Sequence, residues 1–387
     1  MGHIKPIKVL HVVGAMNRGG TETMLMNIYR NMEHEQVQFD FISYSQQEAD
    51  YDQEIKHNHG RVFRLTKTNS LKQIYDVIKE HGPYDVVHAH TLFHCGIANL
   101  AARLAGVKVR ISHAHTTFDE SNNLLRNLYM KGMRVIIQMF STNLLACSRG
   151  AGAYLFGKKG VTKEKYSYFP NTIDYATFLT ASDREVEQFK QEAGLNQRIV
   201  IGHVGRFTEA KNHSFLLDIM QAAKKAAKKD VLPTLLLVGD GDLRADIEAE
   251  AGKKGVREMV HFAGKRDDVA TMLHSMDVFV FPSIFEGLGL VLLEAQATGL
   301  PCVVSEAIQP EADLNINLIS KLRLADGPEA WAKEMIRLSS AREEDTEKIA
   351  TSFEKNGYSL NKVISTLMHI YQANKGETDE ANTDCVL

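Results

Sequence analysis

Residues 277–301 read Asp277-Val-Phe-Val-Phe281-Pro-Ser-Ile-Phe-Glu286-Gly-Leu-Gly289-Leu-Val-Leu-Leu-Glu294-Ala-Gln-Ala-Thr-Gly299-Leu-Pro301. The apolar run that ends at Phe281 is typical of a strand buried on both faces of a parallel sheet. A turn with two glycines follows, and a helical pattern then ends at Gly299, with Pro301 just beyond it. A strand, a glycine-rich turn and a helix in this order make the repeating unit of α/β folds.

The same unit recurs on both sides of this segment. Short apolar strands are predicted at Ile7–Val13, Val37–Ile42, Arg61–Leu65, Asp85–His90, Lys108–His113, Asn143–Cys147, Ile199–Val204, Thr234–Val238, Met259–Phe262, Asp277–Phe281 and Pro301–Val304. Helical patterns are predicted at Thr23–Met32, Leu71–His81, Cys95–Ala105, Leu124–Phe140, Asp183–Ala193 and Leu360–Tyr371. This alternation predicts an α/β protein with two Rossmann-like, doubly wound parallel-sheet domains.

The length of 387 residues fits two domains of this kind. We predict an N-terminal domain over residues 1–172, a linker at 173–197 and a C-terminal domain over 198–355. A C-terminal helix is predicted at 356–374, and its return to the first domain is one option. The polar segment 375–387 is predicted to be disordered.

Composition excludes several classes of protein. The chain is 44% hydrophobic and 24% charged, and its four cysteines show no C-x-x-C spacing. No apolar run reaches the roughly 18 residues that a membrane span needs. We therefore predict a cytoplasmic protein without a disulfide framework or a thiolate metal site.

Charge is distributed unevenly along the chain. Residues 1–172 carry 21 Lys and Arg against 14 Asp and Glu, whereas residues 173–387 carry 24 against 34. A basic first half indicates an anionic partner. Nucleic acid is not expected, because the chain has no dense basic run interleaved with aromatic residues and no nucleic-acid-binding motif. A phosphate-bearing substrate or an anionic membrane surface fits better.

Leu124–Phe140, with its three basic residues, is equally well interpreted as a membrane-contacting helix or as a buried helix with a charged edge.

Two carboxylates flank the glycine pair of the first segment. Eight residues separate Glu286 from Glu294, so on one helix they would lie about 12 Å apart along the axis and would not share one ligand atom. The pattern favours Glu286 in the loop and Glu294 two turns along the helix, each contacting a different part of one long ligand. Gly287 and Gly289 would expose backbone N–H groups to an anion at the helix start.

Two other strand-to-helix loops carry weaker signals. Arg206 and Lys211 follow one strand, and two cations at this spacing can converge on a diphosphate, although a solvated charged loop is the alternative. The loop 14–22 contains Gly19 and Gly20 but matches neither the G-x-G-x-x-G fingerprint nor a Walker loop. A ligand-binding turn and a plain tight turn explain it equally well.

Four histidines form the pairs His88-Ala-His90 and His113-Ala-His115, each at the end of a predicted strand. Alternation places both members of a pair on one strand face. Imidazoles at a sheet edge can bind zinc, but no carboxylate-rich motif accompanies them. The pattern therefore favours a histidine that serves a sugar or acceptor hydroxyl, with at least two of the four being structural. A metal-dependent hydrolase that uses all four is the weaker alternative, and no metal is predicted.

The motifs taken together resemble a known family. The pair Glu286…Glu294 is similar to the E-x7-E signature of the family 4 retaining glycosyltransferases, which use nucleotide sugars. That family's other motifs are similar, in the same order, to Gly19-Gly20-Thr-Glu22, Pro170-Asn171…Asp174, Gly205-Arg206…Lys211 and Leu237-Val-Gly239-Asp240-Gly241-Asp-Leu-Arg244. Two segments most resemble EpsF-type exopolysaccharide and capsule enzymes, namely Arg110-Ile-Ser-His113-Ala-His115 and Gly202-His-Val-Gly-Arg-Phe207. The resemblance covers roughly residues 7–372.

This resemblance implies the GT-B fold, in which two Rossmann-like domains face each other across a cleft. It implies retaining transfer of a sugar, of the hexosyltransferase type, from a nucleoside diphosphate to a saccharide acceptor. Uridine is the default base, and the acceptor would be linked to polyprenyl diphosphate or be another saccharide. The donor is a co-substrate, so no cofactor is expected. Contact with the inner face of the cell membrane would suit a lipid-linked acceptor.

Roles for single residues also follow from the resemblance. Arg206 and Lys211 would hold the donor diphosphate, and Glu286 would bind hydroxyls of the transferred sugar. His113, with His115 as the alternative, would lie near the reacting sugar.

The resemblance also implies residues that contact the ribose, the base and the phosphates of the sugar donor. They are Glu294 for the ribose, the main chain at Arg266 for the base, Gly20 from the first domain, and the backbone of Gly287, Leu288, Gly289 and Leu290 for the phosphates and the sugar.

Three positions depart from the family pattern. Asn212 and Thr172 stand where glycine is frequent, and the segment 308–311 (Ile-Gln-Pro-Glu) replaces a Gly-Gly-x-x-Glu loop. The third departure predicts a change in the donor pocket or in domain closure. A non-catalytic GT-B subunit of a polysaccharide synthase is the main alternative function, but a protein that only binds would not need Arg206, Lys211 and both glutamates of the signature. A related GT-B epimerase is a further alternative. The absence of an obvious acid/base pair around the sugar site in this sequence weakens it.

Overall fold

The computed structural model describes residues 5–117, 124–226 and 233–373, and the predicted disordered tail lies outside them. The chain divides into two compact units. One unit contains the residues up to Thr172 together with those from Ser359 onward, and the other is Ile173–Tyr358.

Within the described residues, the strands are β1 (Ile7–Val13), β2 (Val37–Ser43), β3 (Val62–Arg64), β4 (Val86–Ala89), β5 (Val109–Ala114), β6 (Asn143–Ala146), β7 (Tyr166–Tyr168), β8 (Val200–Val204), β9 (Thr234–Val238), β10 (Val260–Gly264), β11 (Val278–Phe281), β12 (Cys302–Ser305) and β13 (Ile319–Leu322). All eleven predicted strands are present. The two that the sequence did not predict, β7 and β13, lie at sheet edges.

The helices of the described residues are α1 (Gly20–Arg30), α2 (Asp52–His57), α3 (Leu71–His81), α4 (Cys95–Leu104), α5 (Leu124–Phe140), α6 (Arg149–Phe156), α7 (Ala176–Leu179), α8 (Asp183–Glu192), α9 (His213–Ala226), α10 (Arg244–Lys253), α11 (Val269–His274), α12 (Leu290–Ala297), α13 (Pro328–Leu338), α14 (Thr346–Lys355) and α15 (Leu360–Gln372). None of these helices combines the length and the apolar character that crossing a membrane requires.

The first unit has a seven-stranded sheet in the order β3-β2-β1-β4-β5-β6-β7, and all its paired strands run parallel. The chain order reverses between β1 and β4, where His11 is the register partner of His88. Helix α15 belongs to this unit, and the Tyr371 hydroxyl lies 3.0 Å from His88 Nδ1.

The second unit has a six-stranded parallel sheet in the order β10-β9-β8-β11-β12-β13, which is the Rossmann order. Strands β9 and β11 are buried along their whole length, as expected for strands that helices cover on both faces. The segment predicted as a linker, 173–197, contains α7 and α8 and clusters with this unit. Helix α7 packs against α12 and α14, and α8 packs against α11.

Candidate active site

The topology of the second sheet predicts a ligand site at the carboxyl ends of β8 and β11. The strand order reverses between these two neighbours, and ligands of open α/β sheets bind at the carboxyl ends of the strands at such a point. The loop with Arg206 and Lys211 leaves β8, and the loop with Glu286 leaves β11. The sheet topology therefore brings the two loops together.

A short ion pair joins these loops. Lys211 Nζ donates to Glu286 Oε1 at 2.6 Å, and the two side chains are only 18% and 12% exposed. The buried Ser283 hydroxyl donates to the same carboxylate oxygen at 2.9 Å. Lys211 Nζ also lies 4.5 Å from the centre of the Phe281 ring. The carboxylate and the ammonium are thus oriented by contacts from both loops.

Two further hydrogen bonds join the loops. Ile284 N donates to Ala210 O at 2.8 Å, and Asn212 Nδ2 donates to Pro282 O at 3.2 Å. Asn212 has left-handed backbone angles (φ 55°, ψ 48°). Glycine and asparagine are the residues that adopt this conformation most readily, which explains why asparagine can stand where the family often has glycine. Its side chain adds an inter-loop hydrogen bond that glycine could not make.

The glycine pair shapes the start of α12. Gly289 precedes the helix with φ 85°, and an added Cβ there would lie 3.0 Å from the Phe281 ring. A side chain at this position would therefore be strained and crowded. Gly287, Leu288 and Leu290 are buried. The first N–H groups of a helix have no partner within the helix, so the start of α12 offers donors to an anion.

Glu294 lies on α12, past its first turn, and is partly buried. Burial raises the pKa of this carboxyl to about 7. The group therefore changes protonation near neutral pH. Its protonated form can donate a hydrogen bond, whereas its ionised form can only accept hydrogen bonds.

The other residues predicted to contact the sugar donor lie after two different strands and at the start of a helix. Arg206 is exposed directly after β8. Arg266 follows β10 and makes a two-pronged ion pair with Asp268, at 2.7 and 2.6 Å. Gly20 is the first residue of α1, in the first unit, where an added Cβ would meet no atom within 4 Å among the residues that the structure describes. Open space at Gly20 is compatible with a close approach of a ligand.

The histidines predicted to end strands form a cluster in the first unit, and the cluster is larger than the sequence indicated. It also contains His11 of β1. Its five imidazoles belong to His11, His88, His90, His113 and His115. Burial lowers the pKa of each of them, to about 3 for His11 and His115 and well below the ordinary value for the other three. All five are therefore neutral at physiological pH.

Ring nitrogens of these residues contact one another in two separate series of side chains. In one series His11 Nδ1 lies 3.1 Å from His90 Nε2, and His90 Nδ1 lies 2.8 Å from His115 Nε2. In the other, Tyr371 contacts His88, whose Nε2 lies 3.2 Å from His113 Nδ1. His113 Nε2 is buried and has no hydrogen-bond partner within the described part of the chain. This nitrogen is available to a ligand.

Two family models match the chain. The model described as Glycosyltransferase Family 4 matches residues 18–177, and the model described as Glycosyl transferases group 1 matches residues 184–359. EpsF of Bacillus subtilis (strain 168), which is named as a glycosyltransferase, is 38% identical over 371 residues, covering 94% of this chain and 96% of that protein. The capsular polysaccharide biosynthesis glycosyltransferase CapH of Staphylococcus aureus is 28% identical, covering 95% and 99%.

One further relative matches part of the chain, and one solved structure matches most of it. An Escherichia coli protein named UDP-Gal:alpha-D-GlcNAc-diphosphoundecaprenol alpha-1,3-galactosyltransferase is 30% identical over 240 residues, which is 61% of each chain. The crystal structure of Anabaena Alr3699/HepE in complex with UDP-glucose matches with a TM-score of 0.76 at 18% identity, covering 95% of this chain and 100% of that one. The last similarity concerns the fold alone.

Proposed function

Because the chain belongs to the glycosyltransferases of group 1 and family 4 and has the GT-B fold, we propose that it transfers a sugar from a UDP-sugar, with retention of anomeric configuration, to a saccharide. The reaction would serve bacterial exopolysaccharide or capsule synthesis, and the acceptor would be linked to polyprenyl diphosphate. The observation that carries the proposal is the Lys211–Glu286 pair between the loops that follow β8 and β11. A cation and a carboxylate that lie side by side would suit the junction of a diphosphate with a sugar.

Positive charge would drive departure of the nucleoside diphosphate. Arg206 can offer a planar fork and Lys211 a point charge to the phosphates. Both would stabilise the negative charge that develops on the leaving group, which is electrostatic catalysis and requires no metal ion. The N–H groups at the start of α12 would add fixed donors to the same phosphates.

The two glutamates would bind the sugar at one end of the donor and the nucleoside at the other. Glu286 would accept hydrogen bonds from hydroxyls of the transferred sugar, and Glu294 from the ribose. The main chain at Arg266 would contact the base. Gly20 and His113 of the first unit are the further donor contacts that the family resemblance implies.

Retention would follow from attack on the same face that the leaving group departs from. The bond between the anomeric carbon and the phosphate oxygen breaks, the acceptor oxygen bonds to that carbon, and the acceptor proton passes to the departing phosphate. No protein nucleophile is needed for this step. The engagement of Glu286 with both Lys211 and Ser283 supports this choice, because a carboxylate held in this way is oriented for hydrogen bonding.

Helix α5 supports the proposal of a lipid-linked acceptor at the inner face of the cell membrane. Leu125, Leu128, Val135 and Met139 are 81%, 69%, 58% and 66% exposed, and their spacing puts them on one stripe of the helix. Lys131 is exposed on the same helix. Apolar side chains beside basic ones fit the surface of an anionic bilayer.

A transfer assay tests both parts of this proposal. Each of several UDP-sugars is incubated with a polyprenyl-diphosphate-linked saccharide in anionic vesicles, and NMR determines the configuration of the new linkage. An α-configured donor is expected to give an α-linked product. A β-linked product would overturn retention, and absence of product with every donor and acceptor would overturn the function.

A pair of single variants tests the role of α5 in the same assay. Leu125→Glu is expected to slow transfer to the vesicle-bound acceptor and to leave transfer to a short-chain, water-soluble acceptor unchanged. Leu104→Glu is the matched control, because Leu104 is also exposed, at 60%, but lies on α4. Equal rates for the two variants on vesicles would contradict membrane contact through this stripe.

A further inference from the structure

The histidine cluster of the first unit has more buried nitrogens than its hydrogen bonds use. His113 Nε2 is buried, and it has no hydrogen-bond partner among the residues that the structure describes. A buried polar atom without a partner is destabilising unless something binds it. The cluster is therefore best explained by a ligand that accepts electron pairs from imidazole.

Two sets of three imidazoles in the described residues bring one nitrogen from each ring within 4.8 Å of the other two. One set is His11, His88 and His90, and the other is His90, His113 and His115. Neither set includes a carboxylate or a thiolate. Neutral imidazole nitrogens suit zinc and the neighbouring divalent transition metals, whereas Mg²⁺ and Ca²⁺ require oxygen ligands.

The hydrogen bonds distinguish the two sets. In the first set, His88 already uses both nitrogens, on Tyr371 and on His113, so binding an ion would break one of these contacts. In the second set, an ion would replace the contact of His90 Nδ1 with His115 Nε2, but this contact joins two members of the set, so no hydrogen bond to a residue outside the set is lost. His113 contributes a nitrogen that has no other partner in the described chain.

We propose that His90, His113 and His115 form a binding site for a divalent transition-metal ion of the zinc class. Three nitrogen ligands leave the fourth tetrahedral position to a water molecule. The ion would bridge the carboxyl ends of β4 and β5, because His90 directly follows β4 and His113 lies on β5. Binding of the ion does not depend on the function proposed above.

Outer contacts support this choice of ligands. A metal-bound histidine normally donates its other ring N–H to a neighbouring acceptor. His90 Nε2 lies 3.1 Å from His11 Nδ1, and His113 Nδ1 lies 3.2 Å from His88 Nε2. His11 and His88 thus have nitrogens placed to accept those hydrogens. Because His113 is also proposed to lie near the reacting sugar, the ion would withdraw it from that role and is not a cofactor of the transfer.

Titration of the full-length protein with Co²⁺ tests the site, because four-coordinate Co²⁺ absorbs strongly in visible light. We expect saturation at one ion per chain and displacement of the Co²⁺ absorption by Zn²⁺ but not by Mg²⁺. Zn²⁺ is also expected to raise the thermal midpoint, since it binds the folded chain. Failure of the absorption band to form would overturn the proposal.

Variants locate the ion within the cluster. His115→Asn, at a position that is only partly buried, is expected to abolish the saturable band. His11→Asn removes an outer contact and is expected to weaken Co²⁺ binding roughly tenfold. His369→Gln, on the exposed part of α15, is the control and is expected to bind Co²⁺ like the parent chain. An unchanged band in a folded His115→Asn protein, or a band lost in His369→Gln, would refute the assignment.

Discussion

The substitution Glu286→Gln is expected to lower kcat for sugar transfer by about 10²–10³-fold while the chain stays folded. The carboxylate is proposed to bind sugar hydroxyls and also to orient Lys211 Nζ, which lies 2.6 Å away. Loss of one preorganised electrostatic contact in an active site reduces kcat by about this factor. Glutamine has nearly the same volume and can still accept a hydrogen bond from Ser283. The expected effect is therefore on the reaction and not on packing.

Binding data would assign the effect of Glu286→Gln to the sugar. We expect UDP to bind the variant about as well as the parent chain, whereas the additional affinity that the sugar gives to a UDP-sugar is lost. Glu347→Gln, at an exposed position of α14, is the matched control and is expected to retain full activity. Unchanged turnover in Glu286→Gln would contradict the catalytic assignment and favour a non-catalytic subunit with the same fold.

Lys211→Met is expected to weaken the binding of both UDP and UDP-sugars by about 10–100-fold, and to reduce transfer further. The ammonium is proposed to contact the diphosphate, which both ligands share, and a hydrogen bond to a charged group contributes about 1.5–3 kcal/mol. Lys225→Met, at an exposed position of α9, is the control. Calorimetric titration with UDP measures the effect, and an affinity equal to that of the parent chain would contradict a diphosphate role for Lys211.

Lys211→Met also leaves the Glu286 carboxylate, which is 12% exposed, without its cation. We expect this variant to lose about 1–3 kcal/mol of the free energy of unfolding. The double variant with Glu286→Gln removes both charges and is expected to recover part of that stability without recovering transfer. Recovery of this kind would separate the structural effect of the ion pair from its effect on the reaction.

The central strands of both sheets could be predicted from the sequence, and two edge strands could not. Strands such as β9 and β11 are continuous apolar runs because helices cover both of their faces. Among the described residues, β7 pairs only with β6 and β13 only with β12, and each mixes polar with apolar residues over three or four positions. Such short runs do not differ from loops in composition alone.

Sequence motifs placed Lys211 and Glu286 in one site but did not reveal that they pair. The predicted Rossmann order makes β8 and β11 neighbours, but the contact between the two side chains depends on loop conformations that a linear pattern does not contain. The contribution of Ser283 was missed for a related reason. A serine three residues before a loop carboxylate is a weak signal until the loop geometry brings its hydroxyl to that carboxylate.

The extent of the histidine cluster was also hidden in the sequence. His88, His90, His113 and His115 form two obvious pairs, whereas His11 stands alone in β1. The Rossmann strand order, which makes β1 and β4 adjacent, was the signal that could have added it. The contact of Tyr371 with His88 joins residues 283 positions apart and could not have been read from spacing.

The most direct test of the account is whether the folded chain binds a nucleoside-diphosphate sugar without a metal ion. Thermal midpoints are measured with a panel of UDP-, ADP- and GDP-sugars and the free nucleotides, with and without EDTA. At 100 times its dissociation constant, a ligand stabilises the folded state by about 2.7 kcal/mol. We predict that a UDP-sugar raises the midpoint by the same amount with and without EDTA. A panel in which no nucleotide sugar raises the midpoint at saturating concentration would contradict the account.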